Sequence, residues 1–503
     1  MDTNFYDVVV CGGETTGLVA AALLARRGLR VLLLGHEPAH AGFDAWGSTL
    51  SRAPALLPPI DETPVSRVFR ELDSVALLKR RASPPRGPLR VVLPGGHLDV
   101  LSDSVAFERE LGRAYGSAGP RVASAADRLG AVARLLDPLL ASAIALPPNG
   151  FWERREVGRL ESLLPRPRTD LYAPLDVDHP FRIAGAALAA ASTALAPHEL
   201  GAVAEARAFE IARRGTPAFE GGLAGFHDFL LARFEAFGGD RRERLTPVEI
   251  VLRRGRAVGV RVLPRDETIG CHHLVWAGSA ATLVAALGSN APPPAKRGGG
   301  PLRIAGYRHA LSLLCPTAFL PDGTPPRLLA VGDPSRPMTE DNALAITVGL
   351  PSTRVPERVP LWVECVVPPH ALDGGAGYLR ALRARLIHTL GRVLPALEGK
   401  LALVASPYDG LPPEGPDAAG ASPNKPVPVA APPPVFGPPA SRPLDVLGLP
   451  HATGIKHLYL AGRENLPGLD VEGELTSGWG VAHLVAGGHV RRTTPERRML
   501  LGG

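Results

Sequence analysis

Chemistry concentrates near the amino end. There Cys11-Gly12-Gly13-Glu14-Thr15-Thr16-Gly17 follows the apolar run Val8-Val9-Val10. The spacing approaches the G-x-G-x-x-G fingerprint that cradles a dinucleotide. In that motif the first glycine makes a tight turn and the second lets the backbone approach a pyrophosphate. The third lets helix and strand pack closely. Gly12 and Gly17 hold the first and third positions, with Gly13 and Thr16 in the turn between them. Glu14 holds the second, so its carboxylate would face the pyrophosphate. The next apolar run ends Leu33-Leu34-Gly35-His36-Glu37. Gly35 stands where a ribose-binding acid belongs, and Glu37 replaces that acid only if the loop bends back. Two readings stand at this point. In one, the packing positions survive, the anion site is lost, and Glu14 complements the helix dipole. In the other, the rest of the envelope still holds a dinucleotide.

Elsewhere the sequence is sparing. It shows no Ser-His-Asp set, no carboxylate pair and no metal-ligand spacing, so no metal is expected. His272 and His273 are adjacent on an expected strand; they face opposite ways and chelate poorly. His227 and Asp228 fall on an expected helix and read as solvated. Asp470 and Glu472 flank a turn and read either as facing substrate or, more in keeping with such a turn, as part of a solvated loop. Tyr307-Arg308-His309 open an expected sheet and receive no role. Cys11, Cys271, Cys315 and Cys365 are dispersed, as reduced buried thiols would be.

The elements that must position these residues follow from the hydrophobic pattern. A strand, a Leu- and Ala-rich helix over residues 17–27, a stop at Gly28 and a second strand over 29–34 make a βαβ unit. Residues 101–210 are mainly helical. An amphipathic helix is expected over 221–237, then strands over 248–252, 258–263 and 273–276. Short apolar runs broken by Pro and Gly over 307–367 read as a sheet, followed by a helix over 378–397. The Pro-, Ala- and Gly-rich segment 406–443 reads as a surface loop. A strand over 457–461 and a helix over 473–486 complete the pattern.

Composition bounds the function. The chain has 503 residues, 45% of them hydrophobic and 21% charged, which is ordinary for a globular protein with a large core. The net charge of +6 is scattered in short clusters, and aromatics make up 5%, so a nucleic-acid partner is not expected. A mildly basic surface tolerates an anionic cofactor or anionic lipid, which leaves peripheral membrane contact open. The opening residues carry no export-signal pattern, and the Ala-rich stretch 184–196 is too short to span a bilayer. A cytoplasmic location is the expectation.

Three separated segments resemble the phytoene-desaturase-like branch of the flavin amine oxidase superfamily. The first is Tyr6-Asp7-Val8-Val9-Val10-Cys11-Gly12-Gly13, continuing to Gly28-Leu29-Arg30-Val31. The second runs from Gly221-Gly222-Leu223 through Thr246-Pro247-Val248 to Gly259-Val260. The third is Leu458-Tyr459-Leu460-Ala461-Gly462, followed by Glu464, Pro467-Gly468 and residues 473–478. The resemblance implies an α/β fold: a Rossmann-like FAD-binding domain built from discontinuous segments, with an inserted α+β substrate domain. It implies FAD contacts at Gly12, Gly13, Glu14, Thr16, Gly17, Glu37, Val248, Gly462, Glu464, Gly473 and Leu475. Val248 would meet the adenine through its backbone, and Glu464 would contact the ribityl chain. Trp479 reads either as a neighbour of the flavin ring or as a core aromatic.

The expected segments are 1–100, 211–290 and 444–503 for the FAD-binding domain. Residues 101–210 and 291–405 form the substrate domain, and 406–443 the Pro-rich loop. The implied activity is hydride transfer from a hydrophobic, isoprenoid- or carotenoid-like substrate to flavin, a desaturase reaction on CH–CH groups of the kind used in carotenoid biosynthesis. The partner would be an apolar or lipid-like small molecule. The alternative, motivated by Glu14 and Gly35, is a flavin-free scaffold or binding subunit with a protein partner.

Overall fold

Val8, Val9 and Val10 are fully buried, as a strand covered on both faces requires. Their strand, Phe5–Cys11, lies between Val31–Leu34 and Glu267–Trp276 and runs parallel to both. Leu458–Leu460 adds a parallel strand beyond Glu267–Trp276, and Asp240–Arg242 adds one beyond Val31–Leu34. One sheet therefore gathers the three segments that the sequence separates. Thr246–Arg253, Arg256–Leu263 and Glu267–Trp276 form an antiparallel meander at its edge, turning at Arg254 and Gly255. The computed structural model describes residues 4–35, 41–45, 48–62, 64–84, 87–294, 300–351, 356–420, 430–438 and 444–500.

The helix Thr15–Arg26 ends as its sequence directs. Gly28 adopts φ +80°, its N–H bonds Ala25 O, and Leu29 N–H bonds Leu24 O, which is the Schellman arrangement. At the other end, Gly12 has φ +122°. A Cβ on Gly12 would lie 2.0 Å from Ala277 O, and one on Gly17 would lie 2.2 Å from Gly12 O. These two glycines let strand, helix and the turn after Trp276 touch backbone to backbone.

The second sheet has eight strands. Its order is Leu403–Ala405, Ile304–Pro316, Arg358–Val367, Ala343–Val348, Arg327–Val331, Leu89–Leu93 and Gly96–Val100, with Pro434–Phe436 also pairing Ile304–Pro316. Its side chains alternate cleanly. Leu311, Leu313, Leu328, Ile346, Val363 and Cys365 pack with Leu382, Leu386 and Leu390 of the helix Gly375–Val393. The opposite face carries Leu329, Val331 and Ala345 toward a layer of helices between Ser104 and Arg214.

Two boundaries differ from expectation. The hairpin 89–93/96–100 pairs with Arg327–Val331 and so belongs to the second sheet, not to the first segment of the nucleotide-binding domain. Its alternating pattern and Gly95-Gly96 turn mark an independent hairpin. The Pro-rich segment is also more than a surface loop. Val435 and Phe436 are buried, and Pro434–Phe436 forms a strand at the sheet edge, where a residue without an N–H is tolerated. The last helix starts at Asp470 and runs to Leu500. No helix among the described residues is long and apolar enough to cross a membrane. All four cysteines are free and buried.

One buried cation joins the inserted helices to the carboxyl-terminal helix. Arg207, on Ala202–Arg214, is 1% exposed. Its Nε donates to Glu472 Oε2 at 2.9 Å and its Nη1 to Asp137 Oδ1 at 2.6 Å. Burial pulls the guanidinium pKa down, and the charges of Glu472 and Asp137 more than offset it. Removing one partner of such a pair leaves a buried charge and costs about 3–5 kcal/mol, whereas apolar replacement of both is often near neutral. Arg207→Ala is therefore expected to lose about that much stability in urea unfolding, and Arg207→Met with Glu472→Leu to recover most of it.

Candidate active site

The two sheets meet across a cavity of about 330 Å³. One side is the start of the first helix, with Glu14, Thr15 and Thr16; the other is the face of the second sheet, with Arg308, Arg327 and Glu364. Between them stand the strap Arg52–Leu56, the turn Ala277–Ser279, and Gly462–Glu464 with the first turn of the last helix.

The strap is held from three directions. Ser312 Oγ and Trp362 Nε1, both on the second sheet, donate to Ser51 O at 2.8 and 2.9 Å. Ala224 N donates to Ser51 Oγ at 3.1 Å, and Leu223 N to Ala53 O at 2.9 Å. Gly222 permits this approach, because a Cβ there would lie 2.7 Å from Ala53 O. Arg52 is thereby fixed at the cavity with 7% exposure, and its Nε has no hydrogen-bond partner.

Glu14 is the N-cap residue of its helix, yet its side chain makes no cap hydrogen bond. One carboxylate oxygen lies 3.9 Å from Arg52 Nη2. Its charge still lies at the positive end of the helix dipole, with Arg52 beside it on the cavity wall. Next to it Thr16 Oγ1 is buried and has no partner among the described residues. By helix geometry, the first-turn N–H groups lack intrahelical acceptors as well. Thr15 Oγ1 is in a 3.0 Å hydrogen bond with His227 Nε2, so His227, read as solvated, is in fact buried.

The carboxyl-terminal segment departs further from expectation. Glu464 is 4% exposed, and both of its oxygens are committed. Ala280 N donates to Oε1 at 2.8 Å and Leu302 N to Oε2 at 3.3 Å. It braces the start of the helix Ala280–Leu287, whose N-cap is Ser279, while still lining the cavity. Gly462 N donates to Asn465 Oδ1 at 2.7 Å. Gly473 packs against Leu466, and Leu475 is fully buried in the core behind the first helix, so neither lines the cavity. Trp479 is a core aromatic under Arg67. Asp470 and Glu472 both line the cavity, as the substrate-facing reading of that turn requires and the solvated-loop reading does not. Arg463 Nε donates to buried Glu474 Oε1 at 2.6 Å, a second ion pair beside the cavity.

At the far edge of the first sheet, Val248 sits at a bulge. The ladder with Arg256–Leu263 shifts between Pro247 and Glu249, which leaves the Val248 backbone out of register. Gly35 is nearby, with Pro247 Cδ and Gly12 N each 3.8 Å from where its Cβ would be. Its φ of +69° is one that glycine adopts more readily than residues with a side chain. Glu37 lies outside the described residues.

No protein-family model matches the sequence, and no curated protein matches it either. Solved structures do. An oxidoreductase from Methanosarcina mazei is 17% identical, with 94% of this chain and 99% of that chain covered and a TM-score of 0.59. A cofactor-binding redesign of putrescine oxidase is 13% identical, covering 96% and 99%, with a TM-score of 0.61. Cyclohexylamine oxidase from Brevibacterium oxydans is 16% identical, covering 96% and 98%, with a TM-score of 0.50. The fold is a Rossmann-like FAD-binding domain with an inserted α+β domain.

Within this FAD-binding fold the residues fit a dinucleotide unevenly. The Val248 bulge, the space at Gly35, the amino end of the first helix and the unpartnered Thr16 hydroxyl suit one. Glu14 opposes the pyrophosphate, and Glu464, although it lines the cavity, already accepts one backbone N–H on each oxygen. The charged groups of the sheet face escaped the sequence reading. Their signal was a charge inside an apolar strand, such as Glu364 in Leu361-Trp362-Val363-Glu364-Cys365-Val366.

Behind Arg308, on the opposite sheet face, His309 has no exposure, and neither ring nitrogen has a partner. Burial, then the charge of Arg383, depress its pKa to about 4. Between pH ~6.5 and ~4 the unfolded chain binds a proton that the folded chain refuses, so stability falls as pH falls through that window. The loss is about 2 kcal/mol at pH 5. Urea unfolding at pH 7 and 5 is expected to show this difference in the wild type and a smaller one in His309→Met.

Proposed function

We propose that the protein is an FAD-dependent oxidoreductase that works at the interdomain cavity. The observation that carries this reading is the buried Thr16 hydroxyl, left without a partner beside an open helix N-terminus on the cavity wall. A polar group in that position is costly unless a ligand satisfies it. Thr16, the first-turn N–H groups and the Val248 backbone would hold the cofactor, with Arg52 and Arg463 supplying positive charge near Glu14. FAD, when bound, supplies a two-electron acceptor for a substrate hydride. The chain's own part is to seat the substrate on the second sheet and to exclude water with Leu56, Phe436 and Leu469.

The cavity walls bear on the substrate. Apolar side chains from the strap, Pro432–Pro434 and Phe436 support an apolar body, in keeping with the resemblance to desaturases. The ionic floor does not suit a pure hydrocarbon such as a carotenoid. Putrescine oxidase and cyclohexylamine oxidase share the fold, which supports C–H oxidation of a polar organic substrate as the common denominator.

A second reading rests on Glu14 and Glu464. With one carboxylate against the pyrophosphate position and the other held by two backbone N–H groups, the chain would act as a flavin-free binding subunit.

The visible spectrum of the purified protein, with and without added FAD, separates the two. A flavin spectrum near full occupancy is expected, and Glu14→Gly should tighten FAD binding about tenfold, a change of about 1.4 kcal/mol. If neither the wild type nor Glu14→Gly takes up FAD, the oxidoreductase reading falls.

A further inference from the structure

Arg308, Arg327 and Glu364 come from three strands of the second sheet. Ala310 pairs with Glu364, Glu364 with Ala345, and Ala345 with Leu329, so all three charges share the cavity face. Arg327 is 7% exposed, and Arg308 and Glu364 are half-buried. Among the described residues, none of the three forms an ion pair within 4.0 Å, although thirty such pairs are formed elsewhere.

Their hydrogen bonds are few. Arg308 Nη2 donates to Ala190 O at 3.2 Å and to Thr193 O at 2.8 Å. Arg327 Nη2 donates to Ala191 O at 3.3 Å and to Ser192 Oγ at 3.4 Å. Each guanidinium therefore rests one nitrogen on the carboxyl end of the helix Pro180–Ser192. A structural account would stop there, since cations stabilise helix ends. It does not account for the remaining donors. Arg327 Nε is buried with no partner among the described residues, and a buried donor left unmet is costly. Both side chains also line the cavity, which the bonds of one nitrogen each to the helix end do not explain.

We propose that Arg308 and Arg327 form a subsite for the carboxylate of a substrate with an apolar body. A planar two-oxygen acceptor matches the fork of a guanidinium. Glu364 and Asp470 bound the subsite. Their charges act on Arg327 from beyond ion-pair distance and oppose a doubly charged ligand. Burial lowers the Arg327 pKa to about 10, which leaves it a cation at neutral pH. The proposal deepens the oxidoreductase reading and rests on it for the word substrate. The binding site itself does not require flavin.

The test is isothermal titration of the full chain with benzoate and with its neutral analogue benzamide, FAD content being recorded on the same samples by absorbance. Benzoate is expected to bind at least about tenfold more tightly than benzamide. Arg327→Met should erase that preference, and Glu364→Gln should strengthen benzoate binding several-fold by removing a like charge. Arg308→Met serves in place of Arg327→Met if the latter does not fold, and benzamide affinity and thermal melting check integrity. A purely structural role for the arginines would lower melting without changing the benzoate-to-benzamide ratio. Equal binding of the two probes, no benzoate binding in the millimolar range, or an unchanged ratio in the arginine variants would overturn the subsite. A flavin-free protein that passes refutes only the oxidoreductase; a flavin-loaded protein that fails refutes only the subsite.

Discussion

The molecule is organised around a buried cation. Arg207 reaches from the inserted helical layer to Glu472 on the carboxyl-terminal helix, with almost no solvent contact at either partner. Such a pair is poorly stabilising beside a well-packed apolar contact, but it is intolerant of displacement, because neither charge has water to fall back on. It therefore sets the spacing of the two domains. The cavity lies beside this clamp, and its remaining walls are fixed by comparably inflexible means. Ser51 O is held by two donors from the second sheet, and Gly12 and Ala277 meet backbone to backbone. The site is thus a consequence of how the domains are locked together.

Much of this was legible in the sequence, and the reason is periodicity. The βαβ start announced itself through Val8–Val10, the glycine turn and Gly28, because burial on both faces and a left-handed C-cap each demand particular residue types. The helical block, the second sheet and the final helix were readable on the same grounds. What escaped lies where pattern carries no information about partners. Nothing local says that Glu464 turns toward Ala280, since its partner is set by tertiary packing. His227 reads as solvated on a helix until Thr15 is seen opposite it. Arg308, Arg327 and Glu364 are far apart in the chain, and only strand register brings them to one face.

The nucleotide end shows why a motif and its function can part. Gly12 and Gly17 serve the contact between helix and strand, so the fold depends on them whether or not a ligand is present. The second glycine position and the ribose acid serve only the ligand. The departures at Glu14 and Gly35 fall in that second class, and this explains how the architecture persists at identities near 15% to its structural relatives. Fold likeness and cofactor occupancy rest on different residues here.

The cavity wall at Pro432–Pro434 has a thermodynamic meaning of its own. Each ring fixes its φ and removes an amide proton. A wall of this kind has surrendered most of its backbone entropy before any guest arrives. Ordering on entry must then come almost entirely from the guest, so rigid guests will be favoured over floppy ones of equal size and charge. With no N–H to donate, the three residues offer a guest carbonyl acceptors only, and Pro433 O already accepts from Arg308 N. Orientation is left to the charged floor, while the proline wall acts as a smooth guide.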